Sequence, residues 1–146
     1  MLSFLKRNKI KKIKQEFAEK YGGRSHEATK NILKELGIEQ RILELVDSVG
    51  FRQGQDNSAS PDFEKKICAY ADMRVGPFGV ITLEQRFLDL RERYKNHVEG
   101  EKNRNVFEAA LREIEKQIFA QCKILPTGVN QESVSKKIEE LKNYTI

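Results

Sequence analysis

Residues 61–87, PDFEKKICAYADMRVGPFGVITLEQRF, allow little besides two helices joined by a tight turn. Pro61 suits a first helical turn, where its missing N–H has no intrahelical acceptor. Ser60 before it is expected to cap the helix, and Asp62 and Glu64 sit near its positive end. Ile67, Cys68, Ala71 and Val75 recur at helical spacing and define the expected buried stripe. Asp72, four residues after Cys68, falls at the edge of that stripe, where a surface charge is out of place. Gly76 and Pro77 stop the helix. Thr82 is the expected cap of the next, with Leu83, Phe87, Leu90 and Tyr94 on its apolar face.

The same punctuation runs through the chain. A helix over 2–21 carries Ile10, Ile13, Phe17 and Tyr21 on one stripe and ends at Gly22 and Gly23. Ser25 is the expected cap of a second, with Ala28, Ile32, Leu33 and Leu36 inward. A third carries Ile42, Leu45, Val46 and Val49. Residues 51–60 read as a polar loop and residues 96–103 as a polar turn holding His97. A helix beginning near Asn103 or Asn105 lines up Phe107, Leu111, Ile114, Ile118 and Phe119. After Pro126–Gly128, Asn130 caps a last helix with Val134, Ile138 and Leu141. No strands are expected. The sum is an all-α protein, a compact bundle of about six to seven helices. One domain over 1–125 includes the basic helix 2–21, and 126–146 forms a helical tail.

Charge sharpens this. Of 146 residues 34% are charged, and the net charge is +5. All of that excess lies in the first twenty residues, where seven basic side chains face Glu16 and Glu19; the remainder balances at twenty each. The lysines over 6–14 suit a solvated face, or contact with phosphates of nucleic acid or an anionic membrane. No aromatic residues interleave with them as base stacking requires. Cys68 and Cys122 are isolated thiols, which fits a reducing cytoplasm and not a disulfide framework. No apolar run is long enough to span a membrane.

At this point two segments resemble a family. "ICAYADMRV" followed by "GVITLEQRF" resembles the last metal-ligand helix of the HD-domain superfamily of metal-dependent phosphohydrolases, and "SHEATKNILKELGIEQRILELV" resembles its middle pair of helices. The resemblance covers roughly Phe17 to Phe119. It implies an all-helical, HD-like fold and a divalent metal, with Mg, Mn, Fe, Zn and Co not distinguished. It places Asp72 as a metal ligand and His26 on metal or phosphate. The substrate it implies is a phosphorylated small molecule or nucleotide. No His–Asp dipeptide occurs in the chain. The family's first His and its dyad are therefore expected before Met1, and the chain corresponds to the later part of such a domain.

Two donors fall short of the three that a catalytic zinc-type site usually shows. Activity is thus expected to be absent or to need a further segment or partner. Asp72 alternatively forms a structural pair with Arg74, Lys65 or a basic residue on another helix. Arg74, Arg86 and Arg52 are the candidate substrate-phosphate contacts, by the fit of a guanidinium to phosphate; Arg74 and Arg86 also suit a tie between the ends of the two helices through Asp72 and Glu84. A core built for a longer chain is expected to leave an exposed apolar face through which copies associate. The alternative function is a non-catalytic helical module that binds nucleic acid or a partner protein through its basic N-terminal helix. Phosphate-cradling loops of the G-x-x-x-x-G-K-[ST] and G-x-G-x-x-G types, and the H-E-x-x-H metal motif, are absent.

Overall fold

The computed structural model describes residues 2–95 and 100–144, with side chains over 8–95 and 103–144. His97 lies outside the described residues. The described chain is all-α. Its helices are α1 (Leu2–Tyr21), α2 (Ser25–Glu35), α3 (Gln40–Ser48), α4 (Gly54–Ala59), α5 (Phe63–Met73), α6 (Leu83–Arg93), α7 (Gly100–Phe119) and α8 (Gln131–Lys142). Short 3-10 turns occupy Phe51–Gln53 and Pro126–Gly128. The chain divides into two compact units, Met1–Asp47 and Ser48–Ile146. The described residues of the C-terminal segment 126–144 fall in the second unit.

In the first unit, α1 packs on α2 through its last turn. Asn31 Nδ2 donates to the Tyr21 carbonyl at 2.9 Å, and Lys20 Nζ meets Glu35 Oε1 at 2.8 Å. Ser25 is the first residue of α2 and not its cap; Arg24 holds that position without a side-chain bond. In α3 Leu43 is buried and Ile42 is exposed, one residue out of phase with the expected stripe.

In the second unit, α4, α5 and α6 all pack on α7. Tyr70, Met73, Leu83, Phe87, Phe107, Leu111 and Ile114 form one buried cluster. The expected faces of α6 and α7 hold, apart from Tyr94, which is exposed at the C-cap of α6. The face of α5 does not. Its buried residues are Lys66, Ala69, Tyr70 and Met73, while Ile67 is 51% and Val75 55% exposed. The reason is Lys66. Its apolar stem lies inside and its Nζ reaches Gln117 Oε1 at 2.6 Å, so a charged residue occupies a core position.

Two further expectations are corrected. Residues 51–60 are not a loop: Gly54–Ala59 is a helix, tied down by Asn57 Nδ2 donating to the Ser48 carbonyl at 2.7 Å. Its glycine is the reason it can dock, since a Cβ on Gly54 would lie 2.7 Å from Phe107 Cδ2. Between α5 and α6 there is also a small antiparallel pair, β1 (Val75–Gly76) and β2 (Gly79–Val80), with Val75 opposite Val80. Gly79 turns it at a φ of +129°, a conformation glycine adopts without strain.

Two of the caps written in sequence, Thr82 and Asn130, appear where expected. Thr82 and Gln85 form a reciprocal capping box on α6. Asn130 Oδ1 accepts from the N–H groups of Glu132 and Ser133 at the start of α8. The start of α5 is shifted: Asp62 is its cap, accepting from Lys65 N, and Ser60 Oγ accepts from Asp62 N.

The packing at Gly54 gives a test. Alanine is the better helix former by about 1 kcal/mol. Gly54→Ala should nevertheless destabilise the chain by about 1–3 kcal/mol, because Phe107 must move. Urea unfolding of the variant measures this; equal or greater stability would show that the helix-to-helix contact is looser than described.

Candidate functional site

The second unit contains a half-open cavity of about 370 Å³. Met73 of α5, Phe87 and Leu90 of α6 and Phe107 of α7 supply apolar wall. Four charged residues join them: Asp72, Arg86, Arg104 and Glu108. The volume and the mixture of apolar wall with few polar groups suit a small organic ligand.

Two of the four charges are committed to the fold. Glu108 is 2% exposed and accepts a fork from Arg91, with Nε at 2.9 Å and Nη2 at 2.5 Å. Arg112 Nη2 adds a contact at 3.5 Å. Arg112 itself forks onto Glu84 at 2.8 and 3.0 Å and lies over the Phe87 ring. That fork holds the Glu84 carboxyl below its ordinary range. Arg86 Nη1 donates to Asp89 Oδ2 at 3.1 Å, while its buried Nε has no partner among the described residues.

The other two are left available. Asp72 is exposed at the cavity wall, and no side-chain hydrogen bond or ion pair holds its carboxylate among the described residues. Arg104 Nη2 donates to the Tyr94 carbonyl at 3.2 Å, and Arg104 meets no carboxylate among the described residues. An unpaired carboxylate and an arginine with spare donors therefore line one apolar hollow. The structural pair of Asp72 with Arg74 or Lys65 does not form; Lys65 instead faces Asp62 at 3.9 Å.

Arg74 has a different place from the one expected of a substrate contact. It is 5% exposed. Its Nε donates to the Ile81 carbonyl at 2.6 Å and its Nη2 to the Val129 carbonyl at 2.5 Å. Its Nη1 donates to the Tyr70 hydroxyl and lies 3.8 Å from Glu115 Oε2. The guanidinium thus ties α5 to the strand turn and to the segment before α8. Arg52 is exposed on the 3-10 turn over 51–53 and does not line the cavity.

His26 belongs to the first unit. Its Nε2 is 3.2 Å from Asp47 Oδ1, and Lys30 Nζ meets the same oxygen at 2.7 Å. Lys30 first and His26 second hold the Asp47 carboxyl below its usual range. His26, Lys30 and Asn31 border a shallow, open depression there. Of the two donors implied by the resemblance, His26 belongs to the first unit and Asp72 to the second. Among the described residues, no three His, Cys, Asp or Glu side chains gather as a metal site.

Arg104 and Glu108 were not singled out from sequence. Their partners Tyr94 and Arg91 lie 10 and 17 residues away, beyond any helical repeat, so no local spacing pointed to them. Comparison of the chain with protein-family models, with curated proteins and with solved structures finds no match in any of the three.

The Arg74 cluster makes a pH prediction. Tyr70 donates to Glu115 Oε2 at 2.8 Å, and burial, then this bond, raise its phenol above the ordinary value. A phenol that stays neutral in the fold but ionises when unfolded stabilises the fold only while both forms are protonated. Stability should therefore fall as pH rises past about 10, the unfolded tyrosine value. Denaturation midpoints across that range should drop more steeply for the natural chain than for Tyr70→Phe; matching slopes would contradict the burial of this hydroxyl.

Proposed function

We propose that residues 48–144 are the ligand-binding part of an HD-type phosphohydrolase domain, with Asp72 as one carboxylate donor to a divalent cation. The observation that carries this reading is the unpaired Asp72 on the wall of an apolar cavity that Arg104 also lines. A carboxylate is a suitable hard donor for such a cation. Arg104, with donors to spare, and the unpartnered Nε of Arg86 favour an anionic ligand. Aromatic wall from Phe87 and Phe107 suits the organic part of a phosphorylated small molecule or nucleotide.

The donors present do not complete a catalytic metal site. A carboxylate alone leaves it short of the usual three protein ligands. The chain by itself is accordingly a binding module without turnover, and hydrolysis requires donors brought by another segment or partner.

The test is Mn²⁺ binding to the whole chain by isothermal titration calorimetry, with and without a nucleoside monophosphate. Loss of an outer-shell partner alone weakens a metal site about tenfold or more. Asp72→Asn should weaken Mn²⁺ binding at least that much, and Arg104→Ala should weaken the nucleotide. Mn²⁺ affinity that is absent, or indifferent to Asp72→Asn, would reject the reading.

A second reading has its own observation. Every residue of α1 from Asn8 to Lys20 is exposed, and the basic excess of the chain lies on this helix. This supports a non-catalytic module that binds an anionic partner through α1.

A further inference from the structure

A helix in a folded unit normally buries one stripe. α1 does so only at its last turn. Ile10 is 53% exposed, Ile13 50% and Phe17 50%. The expected apolar stripe is real in its spacing and has no cover among the described residues of its own unit. Phe17 stacks on its own helix neighbour Tyr21, with ring centroids 4.7 Å apart.

Charge borders this stripe. Successive side chains turn by about 100° along a helix. Lys9 then falls on one side of the line through Ile10, Ile13 and Phe17, and Lys14 on the other. Lys11 and Lys12 extend the basic surface further round, with Glu16 facing Lys12 at 3.8 Å. No helix among the described residues is long and apolar enough to cross a membrane.

We infer that α1 docks in the plane of an anionic phospholipid surface, its Ile10–Ile13–Phe17 line in the acyl boundary and its lysines among the headgroups. This rests on the reading of α1 as a binding element and names its partner. A lipid interface uses both halves of the helix: apolar area enters the boundary, and cations meet anionic headgroups. Nucleic acid uses only the cations. Its backbone offers nothing to an aliphatic line, and stacking on bases needs aromatic side chains among the lysines.

The experiment is co-sedimentation of the full chain with vesicles of phosphatidylcholine alone and of phosphatidylcholine mixed with phosphatidylserine. Binding is expected to the second and not the first, and to weaken with salt. Each lysine near the surface contributes roughly fivefold, so changing Lys11, Lys12 and Lys14 to Ala should weaken binding on the order of a hundredfold. Ile13→Ser with Phe17→Ser should weaken it about tenfold or more, from lost apolar area. Ile13→Leu with Phe17→Leu should retain it, which separates insertion from misfolding. Absent vesicle binding, or binding that ignores the serine changes, overturns the inference. A parallel titration with duplex DNA distinguishes the failures. DNA binding without vesicle binding overturns the lipid partner and keeps α1 as a binding element; binding to neither overturns both.

Discussion

The second unit depends on where the guanidinium of Arg74 lies. Arg74 sits at the C-cap of α5, its backbone carbonyl accepting from Ile81 N at 2.8 Å while its side chain donates back to the Ile81 carbonyl. Its remaining donors reach Tyr70 and the carbonyl of Val129. A buried cation is tolerable only when its donors are met, and here one side chain meets acceptors from three stretches of chain. This holds the end of α5 in a fixed orientation. Asp72, two residues earlier, then turns outward to the cavity as a consequence.

The same division of labour governs the charges around the cavity. Arg91, Arg112, Glu84 and Glu108 satisfy one another across α6 and α7. Such forked pairs are geometrically demanding and fix the spacing of the two helices. Because they neutralise each other, they leave Arg104 and Asp72 outside the network. The wall that carries these two groups is apolar and half enclosed, which strengthens any interaction they make with a ligand.

Much of the architecture was legible because its signals are local. Thr82 with Gln85, Asn130, and the Phe107–Leu111–Ile114 spacing each act within one or two helical turns, and each is found as read. The face of α5 differs from the expected stripe because Lys66 is buried, its Nζ reaching Gln117, 51 residues away. The helix over 54–59 was missed for a similar reason. Its composition is that of a loop, and only packing of Gly54 against Phe107 makes it a helix. The cavity was illegible altogether, since it exists only after α5, α6 and α7 have met. Asp72 was expected at the edge of a buried stripe, and the face that carries it proves to be exposed.

These features make one claim together: on a single helical turn, Arg74 serves the fold and Asp72 serves a ligand. The most direct measurement compares the unfolding free energies of Asp72→Ala and Arg74→Ala in urea. Substitution of an exposed, unpaired side chain should change stability by no more than about 0.5 kcal/mol. Removal of the buried cation should cost about 3–5 kcal/mol, because its carbonyl and carboxylate partners are left unmet. A loss at Asp72 comparable to that at Arg74 would contradict the account, for it would make Asp72 a structural partner and leave the cavity without its free carboxylate.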